Sequence, residues 1–270
     1  MKLKIFTGLF IFLGTLSQVK AQQIHIGATT AVNATFVLDE GLANDPRYNS
    51  TYTFNTAPIG MNFGIDFGRK FGLSLESILS HQGQIYEVIN AAKAVSGERK
   101  IDLTYLQIPL LMNFMSGGSG GARANFNLGP QLSLLTSATE TLQYQAGTYD
   151  IPDDPNFEIP DGGMDNQDGT YTIPTGSNGP EEIYSKSLNN FKETEFQIAA
   201  AFGLTIDLAK HLYLTTQIRA NYSLTDMKNG DAWEVIATGK PQDIFSQRAN
   251  LLVGVQLGLH YSFGVTRSFK

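Results

Sequence analysis

The chain has 270 residues, no cysteine, 42% hydrophobic residues and 25 acidic against 19 basic side chains, a formal net charge of −6. Absence of cysteine excludes a disulfide scaffold, thiolate metal ligation and thiol catalysis, and the acidic balance argues against nucleic acid, whose phosphates select for Lys and Arg. Only 16% of the residues are charged, against about 25% in an average soluble domain, and this deficit needs a cause.

Lys2 and Lys4 form a positive n-region, Ile5 to Ser17 is an uncharged apolar stretch, and Val19-Lys20-Ala21 puts small residues where a signal peptidase reads. These features predict a signal peptide over 1–21, cleaved after Ala21, and a mature chain of 22–270. Thirteen apolar residues are too few for a helix crossing about 30 Å of hydrocarbon, which takes roughly 20. No later run is long enough either, so a membrane role requires a barrel.

From Gln23 onward eight segments alternate with period two, the signature of strands. In the first, Ile24, Ile26, Ala28, Val32, Ala34 and Phe36 oppose His25, Gly27, Thr29, Asn33 and Thr35; in the second, Ala57, Ile59, Met61, Phe63 and Ile65 oppose Gly60, Asn62, Gly64 and Asp66. The third sets Phe71, Leu73, Leu75 and Leu79 against Gly72, Ser74, Glu76 and Ser80, and the fourth carries Leu106, Ile108, Leu110, Met112 and Phe114. Pro109 lies on the opposite parity and cannot donate to a ladder, which predicts a bulge or broken pairing there. The fifth to eighth segments centre on Phe126–Leu134, Phe196–Leu208, Leu212–Tyr222 and Leu251–Phe263.

Short connections at Arg69-Lys70, Ser116–Ala122 and Ala209–His211 alternate with long ones at about 38–56, 84–100, 137–192 and 225–247. Such alternation puts all short turns at one end, as in outer-membrane barrels with short periplasmic turns. A soluble exported sandwich or barrel also alternates apolar and polar residues. The polar parity decides against it, because it holds mostly Gly, Asn, Gln, Ser and Thr, with no lysine in the middle of a strand. Small uncharged groups suit a narrow lumen, which leaves the apolar stripe for lipid and accounts for the charge deficit. The expectation is an all-β fold, a monomeric eight-stranded antiparallel up-and-down transmembrane β-barrel with short periplasmic turns and long extracellular loops, in the cell outer membrane.

Tyr105-Leu106-Gln107-Ile108-Pro109-Leu110-Leu111, Gly129-Pro130-Gln131-Leu132-Ser133 and the Ala21-Gln22 leader junction together resemble the PorT-like outer-membrane β-barrel family of Bacteroidota. In the last strand Gln256, Gly258, Tyr261 and Phe263 resemble an outer-membrane assembly signal, although seven residues follow Phe263 and the chain ends Phe269-Lys270. The resemblance implies location and fold, insertion by the barrel-assembly machinery into outer-membrane lipid, and a role linked to secretion or surface assembly with another envelope protein as partner.

The loop at 137–190 holds ten acids (Glu140, Asp150, Asp153, Asp154, Glu158, Asp161, Asp165, Asp168, Glu181, Glu182), one cation, Lys186, and five prolines. Acids around Gly162, Gly163 and Gly169 suggest calcium, but the spacing departs from the EF-hand, and a solvated, mobile extracellular loop is the expectation. His25 and His260 share the lumenal parity near the periplasmic ends of strands that must pair, and read as a hydrogen-bonded pair rather than a metal site. His81 and His211 have no catalytic companion in the sequence, so no catalytic, cofactor or metal residue is assigned. Asp66, Glu76, Glu195, Asp207, Arg219 and Arg248 form the expected lumenal charge network, with Arg219 neutralising the acids at mid-barrel. Eight strands leave an interior that side chains fill. The sequence therefore points to a non-enzymatic, structural or partner-binding barrel, with a small-solute channel or a soluble exported binding protein as alternatives.

Overall fold

The computed structural model describes residues 23–68, 70–116, 121–153, 157–160, 162–175, 181–186, 189–229 and 247–264. The expected leader with its cleavage after Ala21, the chain end at Phe269-Lys270, and Asp154 and Asp161 lie outside these residues.

Eight long strands form a closed antiparallel ring: β1 (Gln23–Asp39), β3 (Thr53–Asp66), β4 (Phe71–Ile89), β5 (Val95–Met115), β6 (Ala122–Tyr144), β11 (Thr194–Ala209), β12 (Leu212–Ser223) and β13 (Arg248–Gly264). Each pairs with its chain neighbour in the ring, and β13 closes on β1 without a register break from Gln23↔Gly264 to Asp39↔Arg248. A sandwich would leave sheet edges, so ring closure removes the soluble-sandwich alternative. The ends of β3, β5 and β11 and the starts of β4, β6 and β12 lie at the same end as Gln23 and Gly264, the periplasmic end of an outer-membrane barrel.

Outward side chains from Ile24 to Ala34 on β1, and their partners round the ring, make an apolar belt that includes Ile59, Met61, Phe63, Leu110, Phe202, Ile218 and Leu257. Three strands outrun this belt. β4, β5 and β6 have 19, 21 and 23 residues, whereas a membrane-crossing strand needs about 9–11. The outward residues of β5 change from Leu106, Ile108, Leu110, Met112 and Phe114 to Glu98, Lys100, Asp102 and Thr104. The inward ones change the other way, with Ile101, Leu103 and Tyr105 buried. Above Thr104 the wall has left lipid, so its polar face turns to water and its apolar face turns in.

Several expectations are corrected. The connection at about 84–100 is mostly strand, and only Asn90–Ala94 turns, closed by Asn90 N–H to Ala94 O at 3.0 Å. Ala57 does not share the outward parity of Ile59 and Met61; it is buried, because Pro58 and Ile59 together oppose Thr30 in a β-bulge that flips the parity. At Pro109, by contrast, the expected broken pairing is present, on both sides and without a register shift: Leu75↔Leu110 is followed by Ile78↔Gln107, and Met112↔Leu128 by Pro109↔Gln131.

The acidic loop is not a loop from 137. β6 continues to Tyr144, and Glu140 is a lumenal residue with no exposure. Beyond it β7 (Gly147–Asp150), β8 (Met164–Asp165) and β9 (Thr170–Ile173) form a separate sheet in the order β7-β9-β8, and β10 (Glu181–Ser185) adds to β6. Tyr149, Tyr171 and Ile173 are buried with Val88, so the described part of this loop is folded rather than mobile. The first long connection holds the short helix α1 (Glu40–Asn44), capped by Asp39 accepting from Leu42 N–H, and β2 (Tyr48–Thr51), paired with β4.

The belt position predicts a contrast. Phe202→Arg, at an outward belt site 62% exposed, should cost about 2–4 kcal/mol near the bilayer midplane. Asp102→Arg, outward but above the belt, should change stability by no more than about 0.5 kcal/mol. Urea unfolding in lipid vesicles measures both, and equal sensitivity would misplace the membrane boundary.

Candidate functional site: a layered lumen beneath a folded cap

At the short-turn mouth the lumen holds a cavity of about 620 Å³ lined by, among others, Gln23, His25, Asn62, Asp66, Asn125, Thr205, Tyr213, Gln217 and His260. The predicted neighbours His25 and His260 meet edge to face with centroids 5.9 Å apart, and Tyr213 stacks on His260 at 4.7 Å. Glycines make the room: a Cβ on Gly64 would lie 2.0 Å from His25 Nε2, and one on Gly27 2.3 Å from His260 Nδ1. The two imidazoles do not bond each other; His260 Nε2 reaches Thr215 Oγ1 at 3.0 Å, and His25 Nδ1 lies 3.4 Å from Asp66 Oδ2. That last contact does not have hydrogen-bond geometry.

Above the cavity three polar layers cross the lumen. In the lowest, Arg219 on β12 donates to Glu76 Oε2 on β4 at 2.5 Å, to Gln131 Oε1 at 3.1 Å and to Gln256 Oε1 at 3.1 Å. β12 and β4 face each other across the ring, so this pair spans the bore. In the next, Glu195 accepts from Tyr105 Oη, from Ser223 Oγ at 3.0 Å, from Asn250 Nδ2 at 3.0 Å and from Gln197 Nε2 at 3.1 Å. Four donors round one buried carboxylate satisfy it without a cation. In the highest, Glu140 accepts from Arg99 at 2.6 Å and from Arg248, while Asp39 is paired with Arg248 and with Lys228 at 3.4 Å.

The six charges expected to form one network are therefore divided among separate places. Glu76 and Arg219 are brought together; Glu195 and Arg248 belong to different higher layers. Asp66 is beside His25, and Asp207 pairs with Arg123 at 2.8 Å at the periplasmic rim. Asp39, Arg99, Glu140 and Lys228 were missed. A signal for Arg99 existed: it has the parity of Ile101, Leu103 and Tyr105, which faces inward above the belt. Lys228 had none, since loop residues reach a lumen only through tertiary contacts.

Interleaved with the two upper layers is an apolar cluster of Val37, Leu42, Tyr86, Ile101, Leu103, Leu135, Phe191 and Met227. Above it the β7-β9-β8 sheet docks through Tyr149, Tyr171 and Ile173 against Tyr48, Val88, Leu142 and Tyr144. Arg47 fastens this cap. Its Nη2 donates to Asp45 Oδ2 at 2.6 Å, its Nη1 to the Tyr171 hydroxyl at 3.1 Å, and its guanidinium stacks 4.6 Å over Phe157. Burial is the largest effect on Arg47 and opposes its charge, but the Asp45 hydrogen bonds together with the electrostatic contributions of Tyr48, Tyr171 and Asp45 offset it and hold the guanidinium above its ordinary range. Burial pushes the Tyr171 phenol up to about 12, against the charge of Arg47.

His81 faces outward at the upper edge of the belt, its Nδ1 3.1 Å from Thr104 Oγ1. Gln256 and Gly258 of the expected assembly signal point into the lumen, and Tyr261 and Phe263 point out, 46% and 49% exposed. Among the described residues no group of three or more His, Asp and Glu could hold a metal ion.

Ring, belt and filled lumen define a small transmembrane β-barrel. Residues 17–229 match the family described as outer membrane protein beta-barrel domain, and the chain belongs to that family, which places it in the cell outer membrane. Among solved structures it is similar to the outer membrane protein OprG of Pseudomonas aeruginosa, at 14% identity and a TM-score of 0.41 over 91% of this chain and 98% of that one. It is similar also to the outer membrane protease OmpT of Escherichia coli, at 9%, 0.42, 90% and 98%, and to Neisserial surface protein A, at 10%, 0.38, 89% and 97%. No curated protein sequence matches the chain.

Two outcomes follow. Arg219→Leu leaves Glu76 buried without its cation and should cost about 3–5 kcal/mol, most of it recovered when Glu76→Gln is added; denaturant titration of both variants checks this. Because the Tyr171 phenol is raised above the ordinary value of about 10, its contribution is present below pH 10 and lost as pH rises towards 12. Limited proteolysis at 145–175 should therefore increase over that window while the barrel stays folded.

Proposed function

We propose that this protein is a sealed, non-enzymatic outer-membrane barrel that acts as a partner-binding scaffold, holding a folded extracellular cap on a rigid extension of its wall. One observation carries the reading: three polar layers and two apolar clusters close the bore above the periplasmic cavity. Such packing serves rigidity and display, whereas conduction needs a continuous wet path. The small-solute channel is the second reading, favoured by the 620 Å³ cavity alone.

The absence of catalysis is part of the proposal. His81 bonds a threonine on the outer wall, and the buried carboxylates are committed to cations or hydroxyl and amide donors. The Ile108-Pro109 strand supports a place among PorT-like barrels of Bacteroidota, with a role linked to secretion or surface assembly and another envelope protein as the partner. Tyr261 and Phe263, outward on the closing strand, are the candidates for recognition by the barrel-assembly machinery together with Gln256 and Gly258. A leader over 1–21 and a monomeric mature chain complete the reading.

In planar bilayers the purified protein should show no single-channel steps, and steady conductance would favour the channel. Deletion of residues 145–180 should keep insertion and the gel-mobility shift on boiling, because belt and polar layers lie below the cap, while abolishing capture of the envelope partner. Loss of the barrel itself would overturn the scaffold reading.

A further inference from the structure

The cavity at the short-turn mouth is blind. It opens past Gln23, Lys210 and His211 and ends inward at the Arg219–Glu76 layer. Its volume of about 620 Å³ falls in the range of small-molecule sites, about 300–1,000 Å³. It faces the side opposite the cap, so its role is independent of the scaffold reading.

Three features specify what fits. Two acids on its wall are neutralised in place, Glu76 by Arg219 at 2.5 Å and Asp207 by Arg123 at 2.8 Å, while Asp66 lies 3.4 Å from His25. An ion reaching the inner end would lose its hydration and find there only the Glu76–Arg219 pair, whose charges already compensate each other. Most of the remaining lining is carboxamide and hydroxyl, groups that accept as well as donate, with Asn125 donating to Thr205 at 2.7 Å and accepting from Gln217 at 2.8 Å. Finally, several lining side chains carry a buried polar atom without a partner, His25, His260 and Asn62 among them. Asn62 is 7% exposed and donates to Glu76 at 3.0 Å, but its buried Oδ1 has no partner. A buried acceptor without a donor costs free energy that an entering hydroxyl would recover. The Tyr213–His260 stack adds a flat wall suited to the C–H face of a ring.

We propose that this vestibule binds a small, neutral, polyhydroxylated solute of the saccharide class, entering from the periplasmic side. Each hydroxyl of such a solute both donates and accepts, matching the carboxamide lining, and it brings no charge to the inner end, where Glu76 and Arg219 are already paired.

The test is a side-chain amide NMR titration of the full mature chain in lauryldimethylamine oxide, a detergent without a sugar headgroup. Maltose and N-acetylglucosamine are the probes, with sodium glutamate and lysine hydrochloride as charged controls. Saturable shifts are expected at Asn62, Asn125 and Gln217, with the controls at least about tenfold weaker, a difference of about 1.4 kcal/mol. Asn125→Phe fills the cavity and should remove the saturation while keeping the gel-mobility shift on boiling. Should that variant fail to fold, Thr205→Val, which keeps the shape and loses one hydrogen bond, should weaken binding severalfold. Absence of saturable shifts, equal or tighter binding of the charged controls, or undiminished binding by a folded variant would each overturn the proposal.

Discussion

Hydrocarbon offers no hydrogen bonds, so a chain that crosses it with strands must pair its own backbone groups around a closed ring. The rest of the molecule depends on this constraint. It explains the unbroken β1–β13 register, since a slip there would expose an edge to lipid. It explains also what happens where the ladder fails. Between β3 and β4 pairing stops at Ile59↔Leu79 and resumes only as Thr51↔Ile85 with β2. Side chains take over in that stretch: Thr35 Oγ1 donates to Gly83 O at 2.7 Å, Ile85 N–H donates to Thr53 Oγ1 at 3.2 Å, and Gln84 donates to Thr51 O at 2.5 Å. The gap lies at the upper edge of the belt, where missing ladder bonds are least costly.

The long strands carry a second consequence. A strand that continues from lipid into water must exchange the roles of its faces, since the outer face now meets water and the inner face can build an apolar core. Along β5 the apolar residues occupy odd positions at Ile101, Leu103 and Tyr105 and even positions from Leu106 to Phe114. The switch at Thr104-Tyr105 coincides with a register shift against β6. β4 shows the same exchange, with Leu73, Leu75 and Leu79 outward in the belt and Tyr86 and Val88 buried above it. The extension thus has a core of its own, which is why the loops can fold onto it.

This bears on how much was legible beforehand. Strand count, pairing order, the lipid face and the disturbance at Pro109 follow from period-two alternation and turn positions, which are local. Ala57 was misread because a uniform parity was assumed across Pro58, although a proline in a strand signals a bulge as Pro109 does. The acidic loop was misjudged for a different reason. Ten acids over about fifty residues look solvated, yet Tyr149, Tyr171 and Ile173 gain their burial from Val88 and Leu142 on the extension, whose existence was hidden by taking 84–100 as loop. The Glu76–Arg219 pair was legible as parity and sign, but Glu140 was assigned to the loop and its cations could not be found. Non-local contacts decide such pairs, and one sequence does not encode them in spacing.

Buried ion pairs are weak evidence of stability, because desolvating both charges consumes much of their attraction. What the upper layer contributes is direction. Arg248 begins β13, Asp39 ends β1, Glu140 and Arg99 stand on β6 and β5, and Lys228 belongs to the segment after β12. An apolar cluster would accept many placements of the returning loops, since oily contacts have little directionality. A carboxylate between two guanidinium groups accepts few. The chain at Lys228 is further tied by Lys192 N–H to Met227 O at 2.8 Å and Asn229 N–H to Asn190 O at 3.0 Å. The loop segments on either side of β11 and β12 are thereby drawn into the bore together, setting Met227 and Phe191 in the apolar cluster on which the cap rests. The charged layer is therefore better understood as the device that selects one arrangement of the extracellular loops than as a source of barrel stability, which is the selection that the proposed scaffold role would require.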